Sequence, residues 1–158
     1  MLRLQKITAA QARLYHAMQV RAFQPLLDHY QDVKTNPAAD TLQKVQERLS
    51  LESSSAYFIR DSDQTVGALR LVRRAPSVMK VSPLFILPEF QGQGYARGAM
   101  ILAERENPEI TEWQLDTIKE EKHLCRLYES LGYVPTGSEE ILQPGMTLAY
   151  YQKKNRPY

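Results

Sequence analysis

The chain holds only 7 glycines, yet Gly92 and Gly94 fall within three residues of each other and Gly98 follows closely. They come after the apolar run Leu84-Phe85-Ile86-Leu87 and before an amphipathic stretch, so the segment reads as strand, tight loop, helix. Glycine lets the main chain approach a ligand closely, and the first N–H groups of a helix lack partners within it. Together they make an anion cradle at the positive end of a helix dipole. The plain alternative is a strand-to-helix turn that holds nothing. Two glycines in three residues followed by the small Ala96 argue for the cradle.

Three kinds of phosphate site use such a loop. A nucleotide P-loop ends in Gly-Lys-Ser/Thr, and Gly94-Tyr95-Ala96 supplies neither the lysine nor the hydroxyl. The dinucleotide fingerprint comes closer, with Asp116 about where a ribose-binding acid would fall. However, Gly98 arrives one position late, Pro88-Glu89-Phe90-Gln91 spaces the first glycine from the strand, and the front half supplies no second parallel unit. The third kind needs the rest of the chain to be placed first.

At 158 residues the chain has the size of one domain, long enough to bury a core without disulfides. Its 20 Lys plus Arg against 18 Asp plus Glu leave a net charge of +2, too small an excess for a general nucleic-acid or membrane-surface binder. The single cysteine, Cys125, excludes an internal disulfide and a cysteine-cluster zinc site, and reads as a small buried thiol. No apolar run approaches a membrane span, and Met1-Leu2-Arg3-Leu4-Gln5 lacks a signal-peptide core, so the expected compartment is the cytoplasm.

Leu2 to Ile7 alternates as a short strand. From Ala9 to about Tyr30, Leu14, Met18, Ala22, Leu26 and Tyr30 suggest one helical face, which Pro25 should kink or split. Asp40-Thr41-Leu42-Gln43 resembles a capping box ahead of a helix with Leu42, Val45 and Leu49 on its apolar stripe. Ala56–Arg60 and Thr65–Val72 read as a hairpin, with Gly67 hinting at a bulge. Further strands are expected at Val78–Leu87, Thr111–Ile118 and Met146–Gln152, and helices at Gly94–Glu106 and Glu120–Leu131, the latter ended by Gly132. An antiparallel front half leads into strand–helix–strand–helix: a single mixed α/β (α+β) sheet with flanking helices.

Against that background the loop resembles the signature of the GNAT superfamily of acyl-CoA-dependent N-acetyltransferases, Arg/Gln-x-x-Gly-x-Gly/Ala. Here it is Gln91-Gly92-Gln93-Gly94-Tyr95-Ala96, preceded by Pro88-Glu89-Phe90. A second block, Leu127-Tyr128-Glu129-Ser130-Leu131-Gly132-Tyr133, is similar to the family's Leu-Tyr-Glu-x-Leu-Gly-aromatic segment, and the order and separation of the two also match. The resemblance spans nearly the whole chain, residues 1–158 as one domain, and implies a mixed sheet whose two adjacent parallel strands splay apart.

It further implies acetyl-CoA as co-substrate, with its pyrophosphate on the N–H groups of Gln91, Gly92, Gln93, Gly94, Tyr95 and Ala96. The pantetheine arm would lie between the strands ending near Leu87 and Ile118, and the thioester carbonyl would meet a backbone N–H near Phe85 or Ile86. Arg97, Arg73, Arg74 and Lys80 are candidates for the remaining phosphate, although exposed cations are the norm. Tyr128, protonated at neutral pH, is the expected general acid toward the departing thiolate. Many members carry Asn seven residues before that tyrosine, where this chain has Glu121. No metal is expected. The acceptor would be a small-molecule amine or an amine of a peptide or protein, and a homodimer is common in the family.

The base that deprotonates the acceptor is less visible, because Val78–Leu87 contains no Asp or Glu. Glu52 and Asp32 are the leading candidates, followed by His29 and Asp116; His16 and His123 have no acidic partner in view. The acidic, aromatic stretch Asp28-His29-Tyr30-Gln31-Asp32 would suit a cationic amine. Two other functions fit the same residues: an acyl-CoA-binding sensor without turnover, and a protein-interaction domain without ligand.

Overall fold

A computed structural model describes residues 1–155 of the chain. Seven strands, β1 (Leu2–Lys6), β2 (Ser54–Asp61), β3 (Gln64–Ala75), β4 (Val78–Ile86), β5 (Glu112–Ile118), β6 (Val134–Gln143) and β7 (Met146–Lys154), form one sheet in the order β1-β2-β3-β4-β5-β7-β6. Four helices cover it: α1 (Ala12–Tyr30), α2 (Leu42–Leu49), α3 (Tyr95–Glu106) and α4 (Lys122–Ser130). None of them is long and apolar enough to cross a membrane.

The alternation of side chains along each strand sorts the core into two layers. On one face Leu69, Leu71, Trp113 and Leu115 meet Ala99, Met100 and Ala103 of α3 and Cys125 and Tyr128 of α4. On the other, Phe58, Ala68 and Phe85 meet Tyr15 and Met18 of α1 and Val45 of α2. The buried residues of α1 are Ala12, Tyr15, Met18, Gln19 and Tyr30, while Leu14 is 54% exposed. The expected i, i+4 stripe beginning at Leu14 is therefore rotated off the true face, because a strict i+4 row drifts around a 3.6-residue helix. Pro25 does not split the helix, which runs on to Tyr30. The cap of α2 is Thr41, whose hydroxyl accepts from the Lys44 N–H at 3.1 Å; Asp40 instead binds Arg48 at 2.7 Å.

Every neighbouring pair in the sheet is antiparallel except β4 and β5, which run parallel and pair only over Val78–Lys80 against Glu112–Gln114. Both strands continue past that point, β4 to Ile86 and β5 to Ile118, each bonded only to its outer neighbour, β3 or β7. The result is a wedge that opens toward the C-terminal ends of two parallel strands. Within β4 an extra residue is accommodated between Val81 and Leu84, opposite Leu71 and Leu69, so the strand bulges beside the gap.

Two features were not legible in the sequence. β6 is exposed along almost its whole length and held by main-chain pairing to β7 through the turn Pro144-Gly145, so no apolar alternation marks it. Gly67 does adjoin a bulge, since Ile59 faces Gly67 while Arg60 faces Thr65. Its decisive property is different: a Cβ there would collide with the Phe85 carbonyl oxygen and press on Ile86. At Gly98 a Cβ would meet only the Leu2 Cδ2 methyl, at 2.7 Å. Gly98 thus serves the packing of α3 on β1 rather than the cradle. Gly67→Ala should destabilise the fold by about 3 kcal/mol, because backbone cannot retreat, whereas Gly98→Ala should cost about 1 kcal/mol as Leu2 rotates away. Urea unfolding of the two variants checks the order; equal losses would contradict it.

Candidate functional site

The cradle sits at the mouth of the wedge. β4 ends at Ile86, a short 3-10 turn spans Pro88–Phe90, and Gly94 caps the N-terminus of α3. Gly92 and Gly94 both have left-handed backbones, with φ of 77° and 82°, and a Cβ at either would meet nothing within 4 Å. The glycines are needed for their conformation and for an open approach, not to avoid a neighbour. The first bond of α3 runs from the Gly98 N–H to the Gly94 carbonyl at 3.0 Å, so the N–H groups of Tyr95, Ala96 and Arg97 have no partner within the helix.

Side chains fasten this loop from three directions. The Gln91 Nε2 donates to the Ile86 carbonyl at 3.0 Å. The Tyr95 hydroxyl donates to Asp61 Oδ2 at 2.6 Å, which lowers the Asp61 pKa and raises that of Tyr95. Arg21 of α1 pairs with Glu89 at 2.9 Å. Sequence reading missed Arg21 and Asp61, because both act across long separations. Arg97 reaches over to Ser130 Oγ at the end of α4, at 2.7 Å.

Main-chain N–H groups alternate in direction along a strand. The Leu87 N–H donates to the Val66 carbonyl of the β3 side at 2.8 Å, so that of Phe85 also faces β3. Those of Ile86 and Leu84 face the opposite way, into the wedge. Of the two expected carbonyl-binding positions, Phe85 is therefore turned away and Ile86 faces the gap; Leu84 joins it. The Ile86 carbonyl points the same way, since it receives the Gln91 side chain.

Tyr128 enters from α4, 8% exposed, with its ring edge-on to Tyr133 at 6.1 Å. Burial pushes its pKa up, with the Asp116 charge adding to the shift, and no hydrogen bond contributes. The phenol is thus protonated at any physiological pH. The turn after α4 is closed by Gly132 at φ 96° and by the Tyr133 N–H donating to the Tyr128 carbonyl at 3.1 Å. Glu121, at the α4 N-terminus, accepts from the Tyr30 hydroxyl at 2.8 Å and so ties the end of α1 across the wedge.

Other expected residues lie elsewhere. Glu52 is exposed in the turn before β2. The neighbouring Ser53 carbonyl binds the Arg73 N–H, and Arg73 faces Met79 near the start of β4, so Glu52 lies at the closed end of the wedge. Asp32 is buried and spends its oxygens on the Lys34 and Thr35 N–H groups and the Thr35 hydroxyl, which fixes its own loop. Asp28 accepts from Gln24, and His29 stacks edge-on against Tyr30 at 4.5 Å. Arg73 pairs with Glu109, and Arg74 lies beside it at the far end of β3 from the cradle. Lys80 is paired with Asp116 at 2.8 Å. Of the four cations considered for phosphate binding, Arg97 alone sits beside the cradle.

Among the described residues no group of His, Cys, Asp and Glu is placed to hold a metal ion. A cleft of about 450 Å³ lies between α4 and the β6–β7 hairpin, lined by Lys122, Cys125, Arg126 and Glu129. These residues mark the α4 face turned away from Leu124 and Tyr128, so the cleft is not part of the wedge.

Comparison with known proteins gives this geometry a context. Residues 26–155 match a family model described as an acetyltransferase (GNAT) domain. Searched against curated proteins, the sequence has no match. Solved structures match over nearly the full length. An acetyltransferase from Thermus thermophilus is 20% identical, covering 98% of this chain and 97% of that one, with a TM-score of 0.73. A spermidine N-acetyltransferase from Vibrio cholerae, in complex with CoA and spermine, is 17% identical over 97% and 95%, with a TM-score of 0.76. An aminoglycoside acetyltransferase in complex with coenzyme A is 18% identical over 98% and 95%, with a TM-score of 0.73. At these identities the likeness is one of fold.

Proposed function

The chain belongs to the acetyltransferase (GNAT) family, and from that membership we propose that it moves an acetyl group from acetyl-CoA directly to a primary amine, that of a small molecule or of a peptide or protein. The observation that carries this reading is the conjunction of the glycine loop with the wedge: a helix N-terminus with open, left-handed glycines stands at the open end of a gap between two parallel strands. Acetyl-CoA supplies an acyl carbon activated by a thiol leaving group. The residues of this chain do the rest.

The N–H groups from Gln91 to Ala96 bind the pyrophosphate, and Arg97 neutralises charge beside them. The edges of β4 and β5 hold the extended arm as a sheet holds an added strand. The Ile86 or Leu84 N–H donates to the thioester oxygen as charge develops there. Tyr128 gives its proton to the departing sulfur; its hydroxyl donates no hydrogen bond within the protein and is free to do so. The spermidine and aminoglycoside enzymes of similar fold support an amine acceptor. We expect the work to be done in the cytoplasm.

Gly94→Val should weaken acetyl-CoA binding at least about a hundredfold, because it costs several hydrogen bonds to a charged acceptor at about 1.5–3 kcal/mol each. Gly137→Val is a matched control. Its φ of 91° imposes the same backbone penalty, also with open space around the Cβ, but on β6 away from the cradle. Calorimetry with circular dichroism on both variants decides: affinity that survives Gly94→Val places the cradle elsewhere. For Tyr128→Phe, kcat should fall about 10- to 1,000-fold while acetyl-CoA affinity holds, since the proton is needed only as the bond to sulfur breaks. Thiol release with a panel of amines measures this, and full activity of the variant would reduce Tyr128 to packing.

A further inference from the structure

One ion pair among the described residues joins β4 to β5, and it stands at the root of the wedge. Lys80 is the last β4 residue paired with β5, and Asp116 lies two residues beyond its partner Gln114. Their Nζ–Oδ2 distance is 2.8 Å, and the side chains are only 21% and 25% exposed. Both lie on the face opposite Trp113 and Leu115. They therefore sit on the α1–α2 side of the sheet, whereas α3 and the cradle it caps lie on the other. A donor bound at the cradle and an acceptor resting on Asp116 would approach the gap from opposite sides.

We propose that the Lys80–Asp116 pair is the acceptor-ammonium site: Asp116 binds and deprotonates the acceptor amine, and Lys80 is a tethered cation that the acceptor displaces. This inference rests on the acetyltransferase reading and assigns its missing proton acceptor. The other acids near the wedge are committed. Glu121 receives the Tyr30 hydroxyl, Glu120 the Thr147 N–H, and Glu140 the Tyr150 hydroxyl. Asp116 is held by a flexible ammonium, the chemical group of the acceptor itself; Lys119 holds Glu139 in the same way, but on β6 and outside the gap between β4 and β5. A lysine is a compact charge on a four-carbon stem, so it can yield the carboxylate to another primary ammonium at little geometric cost.

The groups facing Asp116 come from two strands. They are Lys80 on β4, paired with it, and Tyr150 directly across from it on β7; from α4, on the other face of the sheet, the Tyr128 hydroxyl also feels the Asp116 charge, as does that of Tyr150. The proton acceptor and the expected proton donor thus share one gap. In the reaction the acceptor ammonium first gives a proton to Asp116. The freed nitrogen pair forms the bond to the acyl carbon, and the carbon–sulfur pair leaves on sulfur, which takes the Tyr128 proton. The nitrogen's second proton then returns to the Tyr128 phenolate. The products are an amide and a free thiol, and Asp116 releases its proton to solvent.

A purely structural pin would make both partners interchangeable, so the sign of the lysine effect separates the two roles. Calorimetric titration of n-butylamine and of spermidine into CoA-loaded protein is the test, with melting temperatures recorded for each variant. Asp116→Asn should weaken amine binding at least about tenfold and lower kcat about a hundredfold or more. Lys80→Met should tighten amine binding by about three- to tenfold, because the competing cation is gone. If Asp116→Asn fails to fold, the sign of the Lys80→Met change decides alone. Amine affinity unchanged or weakened in Lys80→Met, or no amine binding in wild type that binds CoA, would overturn this inference only. Failure of the wild type to bind CoA would overturn the acetyltransferase reading beneath it.

Discussion

Three residues of β4 pair with three of β5, and then the two strands part. Buried main-chain N–H and C=O groups must find partners, so strands do not ordinarily separate inside a sheet. Here the parting is enforced from outside. β4 stays registered with β3 and β5 with β7, and each helical layer grips its own face. Past Lys80 and Gln114 the facing edges of β4 and β5 have no strand partner in the sheet. An extended, amide-bearing chain is the chemistry that fits them. Gly67 belongs to the same constraint: without a Cβ it lets β3 come close enough to hold the Phe85 carbonyl, which keeps β4 in place while its other edge goes unpaired.

The chemistry follows from where that gap leads. Its mouth meets the N-terminus of α3, whose glycine-rich approach offers N–H groups to an anion. Its root is closed by a charged pair on the other side of the sheet. Tyr128 reaches in from α4, protonated because burial holds its proton. On the reading proposed above, a long anionic donor and a cationic acceptor would have separate entrances and a common meeting point. Their separation needs no moving part in the chain.

The loop's structure was legible because local sequence displays it: glycines at fixed spacing, a strand before and a helix after. The place of Tyr128 in the fold was legible for a similar reason, as part of the Leu127–Tyr133 block with Gly132 just past the end of its helix. The bulge beside Gly67 was visible, but the collision that makes glycine necessary lies across the sheet at Phe85. Asp116 stood among the candidate bases in sequence, but its pairing with Lys80 across the two parallel strands was not legible there, because it appears only when β5 is set beside β4. Asp32 looked available in sequence and is consumed by its own turn. β6 escaped notice because a strand exposed on both faces carries no hydrophobic period.

Amide hydrogen exchange with and without CoA tests most directly the claim that the wedge holds the arm of the co-substrate. The N–H groups of Ile86 and Leu84, which face the gap, should slow by about tenfold or more when CoA binds. Those of Phe85 and Leu87, already directed to β3, should change little. Protection appearing equally on all four residues, or only in the cleft between α4 and β6–β7, would contradict the account.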